Sequence, residues 1–148
     1  VANGLYTKFL NGQLGAGAYT PIDFATPGGN GFKLALIDDA GTDSGPDQTN
    51  DDYWDDQDGS LVGALSTALS SLTVGTVGIG VFDAADLAPA FTAVTGTSVE
   101  SLVLLRDTGT PTTSELVCYW GAGTTGLPLT PNGGDVNVTF NASGIFKI

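Results

Sequence analysis

The run Asp55-Asp56-Gln57-Asp58-Gly59 is the stretch of this chain whose residue types could hold a hard cation. Crowded carboxylates and an amide beside a turn-forming glycine are oxygen ligands of the kind calcium takes, although the run lacks the twelve-residue loop with its closing glutamate. It admits weak Ca2+ binding, or a cation that quenches repulsion between neighbouring subunits, and no other cofactor is called for. Asp83 and Asp86 are a second carboxylate pair. Glycoside hydrolysis needs two such groups at a set separation, which their place on a turn does not supply. The chain has no histidine, so the commonest general base and transition-metal ligand is missing. Its single cysteine, Cys118, can form neither a thiolate zinc site nor an intrachain disulfide. Within Leu116-Val117-Cys118-Tyr119 it reads as a small hydrophobe. Neither a nucleophile-elbow serine motif nor a phosphate-cradling glycine-lysine loop occurs. The expectation is a protein that is not an enzyme, with no catalytic residues and no defined metal site.

The charge balance limits partners further. Sixteen acids face only Lys8, Lys33, Arg106 and Lys147, a formal charge of −12. Such a surface repels phosphate backbones and anionic bilayers, so neither nucleic acid nor membrane is an expected partner. No apolar run approaches the ~20 residues of a membrane-spanning helix. The opening residues show no secretion-signal pattern, and Val1 is read as following a removed methionine, so synthesis in a host cytoplasm is expected. With 148 residues, 41% of them hydrophobic, the chain suits one domain over 1–148 with a core of its own.

The elements that would position these residues read mainly as strands. Residues 1–14 form an N-terminal arm or short helix, with Leu5, Phe9, Leu10 and Leu14 at helical spacing. A flexible connection follows over Gly15 to Asn30, broken by Pro21, Pro27 and the Gly28-Gly29 pair. Phe32 to Ile37 is a buried strand. The acidic loop, 38–60, then carries nine of the sixteen acids by Asp58. Tyr53 and Trp54 lie inside it, and one ring is expected to pin the loop to the domain while the acids face water. Leu61 to Leu72 fits helix by Leu61, Leu65, Leu69 and Leu72, and strand by Leu65, Thr67, Leu69 and Ser71. Its glycine, serine and threonine content favours strand.

Thr73 to Phe82, with glycines at 75, 78 and 80, suggests an edge or a bulge. Further strands are expected at Phe91 to Val94, Ser101 to Arg106 and Glu115 to Trp120, the last two as an antiparallel hairpin. Val136, Val138 and Phe140 alternate strictly after the Gly126–Asp135 turn, and this strand is expected to pair with Ile145 to Ile148. Short strands between Gly and Pro turns point to a mainly β fold: a β-sandwich or jelly-roll-like barrel with a short N-terminal helix or arm.

Several blocks resemble, in one order, a family of small virion structural proteins of tailed bacteriophages and prophages. They are Ala2 to Leu10, Phe32 to Asp38, Tyr53 to Asp56, Val81 to Asp86 with Phe91 to Gly96, Arg106 to Thr110, and Gly126 to Asp135 with Ile145 to Ile148. The acidic stretch before Tyr53, the glycine-valine run at 74–81 and Ala88-Pro89-Ala90 are longer than the family pattern, so loop-borne specificity is not carried over.

The resemblance implies a non-enzymatic virion component. Its first reading is a capsid decoration, or cement, protein that sits on the capsid surface as homotrimers and has the major capsid protein as partner. On that reading Leu5, Tyr6 and Phe9 anchor on the shell or a sister subunit and Lys8 meets an acid; the alternative is a helix packed on its own core. The rival reading is a tail or fibre component that contacts the host surface, with Tyr53 and Trp54 as a sugar-stacking platform.

Overall fold

The computed structural model describes residues 3–16 and 20–148. Val1 and Ala2, and the part of the Gly15–Asn30 connection at 17–19, lie outside the described residues. Among the described residues, nine strands in three antiparallel sheets and one short helix make the fold mainly β and sandwich-like. The strands are β1 (Gly4–Leu5), β2 (Phe32–Ile37), β3 (Thr73–Val74), β4 (Val81–Asp83), β5 (Leu87–Phe91), β6 (Ser101–Arg106), β7 (Glu115–Trp120), β8 (Val136–Val138) and β9 (Phe146–Lys147), and the helix is α1 (Thr7–Gln13). Their sheets run β1-β7-β6-β2, β3-β4-β9 and β5-β8.

The largest sheet is the frame. Its β2, β6 and β7 are almost wholly buried along their length, which is why their sequences read as continuous apolar runs: both faces are covered. The expected hairpin is present, with Val103 opposite Tyr119 and Leu104 opposite Cys118, and a register shift between Leu104 and Leu105. At its loop end Arg106 grips Glu115 through two hydrogen bonds, Nε to Oε2 at 2.5 Å and Nη2 to Oε1 at 2.8 Å.

Five phenylalanines join this frame to the rest. Phe24 stacks on Phe32 with ring centres 5.0 Å apart, tilts against Phe82 at 4.9 Å and meets Phe9 edge-on at 5.7 Å. Phe146 completes the group against Phe9, Phe24 and Phe82. One cluster thereby ties α1, β2, β4, β9 and the 20–30 segment together. That segment is not a loose connection: Ile22 and Phe24 are buried, because a ring of this size gains more from burial than an ordered loop costs.

Three other expectations are corrected. Residues 61–72 form neither a helix nor a regular strand. They run antiparallel along the outer edge of β2, with Val62, Ser66 and Leu69 donating to the carbonyls of Leu36, Leu34 and Phe32. Steps of four and three residues against two on β2 put Val62, Ser66 and Leu69 inside, and such a bulged edge mimics helical spacing. Strand β5 lies at 87–91 rather than 91–94. Finally, β8 pairs with β5 while β9 pairs with β4, so the last two strands are not partners. The chain end is drawn to β4 instead, with Ile148 N–H on Gly80 C=O at 3.0 Å. Gly80 sits at φ 73°, where a side chain would collide with the Ile148 carbonyl.

Phe24→Ala is expected to cost about 3 kcal/mol of unfolding free energy, with Phe24→Leu losing less than half as much. Urea denaturation of the three proteins checks this; a loss within ~0.5 kcal/mol of zero, the usual surface value, would show that the 20–30 segment is not part of the core.

Candidate functional site

Both groups of candidate interface residues converge on the outer edge of β7. Leu5 lies opposite Cys118, and the next amide, Tyr6 N–H, donates to Val117 C=O at 3.1 Å. Beyond that point the acidic loop takes over the edge. Leu116 N–H donates to Asp52 C=O at 3.1 Å, Trp54 N–H donates to Ser114 C=O at 2.8 Å, and Tyr53 bridges to Glu115 between them. Arm and loop are also tied to each other. Thr7 N–H donates to Gln48 C=O, the Gln48 amide donates to Leu5 C=O, both at 2.9 Å, and Lys8 forms an ion pair with Asp52.

The arm therefore faces inward. Tyr6 and Phe9 are fully buried, and Tyr6 packs edge-on against Tyr119 at 5.2 Å. Trp54 is 6% exposed, so its ring is no sugar platform; the pinning ring expected in the loop is this one. Leu5 and Tyr53 stay partly accessible, and Lys8 is exposed. Of the two arrangements open to the arm, Tyr6 and Phe9 take the one packed on the chain's own core, and within the fold Lys8 meets Asp52. The physical reason is the row of unpaired N–H and C=O groups that an edge strand presents. Leu14, expected on the packed face, is 79% exposed beyond the helix end.

The acids of 38–60 largely hold the loop's own backbone. Asp47 accepts from the N–H groups of Thr49 and Asn50, Asp56 from those of Asp52 and Tyr53, and Asp43 from that of Gly59. Two 3-10 turns, Trp54–Asp56 and Asp58–Ser60, result. Beneath them Gln57 is fully buried and donates to Asp51 Oδ2 at 2.8 Å. Among the described residues no three acids or thiols gather as a metal-holding group. Burial pushes the Asp51 carboxyl up to about 6; Asp56 and Asp47 add to this, against the Asp47 N–H and the Gln57 amide. Asp107 goes the other way. Burial works against its charge, but Lys33 at 2.8 Å, Gly109 N–H and the Asn30 amide hold its carboxyl below the usual range. Burial pushes the Cys118 thiol well up, which keeps it in the inert protonated form.

A further concavity lies elsewhere. A cleft of about 350 Å³ separates the frame sheet from β8. Its floor is the cross-strand row Leu36, Leu102 and Trp120, set side by side by the register of β2, β6 and β7. One wall is the consecutive run Val136 to Asn141, and the other includes Thr124 to Leu127. The second wall is fixed by Leu127 N–H on Thr124 C=O at 3.0 Å, and by a pair of hydrogen bonds between Val99 and Leu129 at 2.8 and 2.9 Å. Among the described residues no lining side chain is ionisable. The arrangement offers an apolar floor, one indole and neutral hydroxyl and amide groups, which suits binding rather than proton transfer. None of the residues singled out from sequence as interface candidates lines it. The available signal was the alternation at Val136 to Phe140, whose apolar side chains remain only half-buried.

Neither a protein-family model nor a curated protein matches the chain.

The Asp51 geometry makes stability depend on pH. With its folded pKa near 6 and its ordinary value at 3.8, the folded state takes up a proton that the unfolded state does not, so stability rises as pH falls from 7 towards 4. Below that range the gain is offset, because Asp23, Asp47 and Asp107 hold lowered values in the fold and lose their contribution on protonation. Asp51→Asn is expected to be more stable at pH 7 by on the order of 1 kcal/mol, discounted for partial exposure, and to flatten the slope between pH 6 and 4. Thermal melts across pH check it; a variant less stable than the parent at pH 7 would contradict the assignment.

Proposed function

We propose that this chain is a non-enzymatic structural protein of a tailed-bacteriophage virion, which decorates and stabilises the capsid as homotrimers bound to the major capsid protein. The observation that carries the reading is the cleft: a half-covered apolar concavity without one ionisable lining residue among the described residues, on a chain of formal charge −12. It is suited to being covered by a partner, and it offers no acid or base for catalysis. The ordered blocks that resemble the virion family supply the partner's class. The acidic surface fits a place on the outside of the shell, since it would be repelled by packaged DNA phosphates.

Attachment through residues 1–10 is not part of this reading, because Tyr6 and Phe9 are committed to the chain's own core. The purified protein is expected to co-sediment with capsids lacking it, to raise their resistance to heat, and to label the shell in immunoelectron microscopy. Label confined to the tail tip would replace this reading with that of a tail or fibre component.

A second expectation concerns the acidic loop as the place for weak calcium binding. Six acids fall between Asp47 and Asp58, within mutual reach at a Debye length of ~8 Å in physiological salt. Calcium is expected to raise the melting temperature more than a monovalent salt of equal ionic strength. Equal effects would leave screening alone.

A further inference from the structure

The wall of the cleft formed by Val136 to Asn141 has an unusual make-up. Successive side chains of a strand point to opposite faces, yet all three residues of β8, and the three non-strand residues that follow it, border one concavity. A wall built from every residue in turn is the strand's edge, main-chain groups included, rather than one of its faces. Among the described residues β8 pairs only with β5, so its other edge has no strand partner. The alternating face is also incompletely covered: Val136, Val138 and Phe140 are half-buried, as are Leu102, Trp120 and Leu127 across the cleft. Unpaired main-chain groups next to uncovered apolar side chains are what an added strand satisfies together.

We infer that the cleft receives an extended, uncharged apolar segment of a protein partner, added as a strand to the free edge of β8. This rests on the capsid reading above for the partner's identity, which would be the shell protein. Charge selects the occupant. The lining is neutral, so the inserted part of the segment is uncharged, and the formal charge of −12 on the chain favours cationic flanks. A volume of about 350 Å³ falls at the lower end of the ~300–1,000 Å³ of enclosed ligand sites, enough for a few apolar side chains but not for a packed helix. Alternate side chains of the incoming strand would enter towards Leu102 and Trp120, and its amides and carbonyls would face those of β8.

The probe is a synthetic peptide of alternating valine and threonine with two lysines at each end, titrated into the isotope-labelled full chain. Amide shifts are expected to concentrate at residues 136–141 and 124–127. N-methylation of alternate peptide amides is expected to weaken binding about tenfold or more, because it removes main-chain donors without altering the protein. Replacing the flanking lysines by glutamates should weaken it too, and added salt should narrow the difference.

The inference is overturned by an absence of shifts up to about 1 mM peptide, or by equal binding of the N-methylated peptide. Shifts of the same amides on self-association, seen by sedimentation, would assign the cleft to a second copy. Shifts with a neutral oligosaccharide but not with peptide would make it a sugar site. Peptide binding without capsid co-sedimentation would fault only the capsid reading; co-sedimentation without peptide binding would fault only the cleft.

Discussion

The contact on which the rest of the structure depends is the group of five phenylalanine rings, Phe9, Phe24, Phe32, Phe82 and Phe146. A small sheet needs a packed hydrophobic face to be stable in water. The β3-β4-β9 sheet, with strands of two and three residues, persists because Phe82 and Phe146 pack on rings from the helix, the 20–30 segment and β2. Each ring removes a large apolar area from water, and edge-on or offset pairs add to it. The main-chain tie between Ile148 and Gly80 then only has to align what the rings already hold together.

The second constraint is the sheet edge. The three long strands β2, β6 and β7 have two outer edges, and here both are covered by chain that is not regular strand throughout. The 61–72 segment follows β2, while β1 and the Asp52–Trp54 stretch share β7. This explains why so acidic a loop is ordered. Its main chain completes the sheet on one side, and on the other its carboxylates accept the loop's own N–H groups, so charge that would repel in an open coil is turned into local acceptors. The strain is left at Asp51, which is half-buried beside Asp47 and Asp56 and holds its proton towards neutral pH.

On its side away from β5, β8 has an edge with no strand partner among the described residues. It borders a neutral cleft whose floor is fixed by three strands in register, so the floor is rigid and the wall is unfilled. Val136, Val138 and Phe140 beside this cleft are half-covered, whereas Tyr6 and Phe9 of the N-terminal arm are enclosed, and that contrast directs attention to β8 rather than to the arm.

The sequence alone determined the β character, the pairing of Ser101–Arg106 with Glu115–Trp120, and the inertness of Cys118, because continuous apolar runs bounded by turn residues are local patterns. It also marked Val136 to Phe140 as a strand. It did not determine which strands are neighbours at the chain end, since pairing between β4 and β9 depends on the Phe82–Phe146 contact and not on the short turn between β8 and β9. Nor could it separate helix from strand at 61–72, because a bulged segment along an edge buries residues three and four apart. Phe24, in a stretch of prolines and glycines, carried no periodicity to mark it as core. The cleft was legible only in part: Val136, Val138 and Phe140 were visible as an apolar face, but its floor combines residues 36, 102 and 120, brought together by sheet register. Likewise Tyr6 and Phe9 are apolar in any reading, and only tertiary packing decided that they close their own sheet instead of facing a partner.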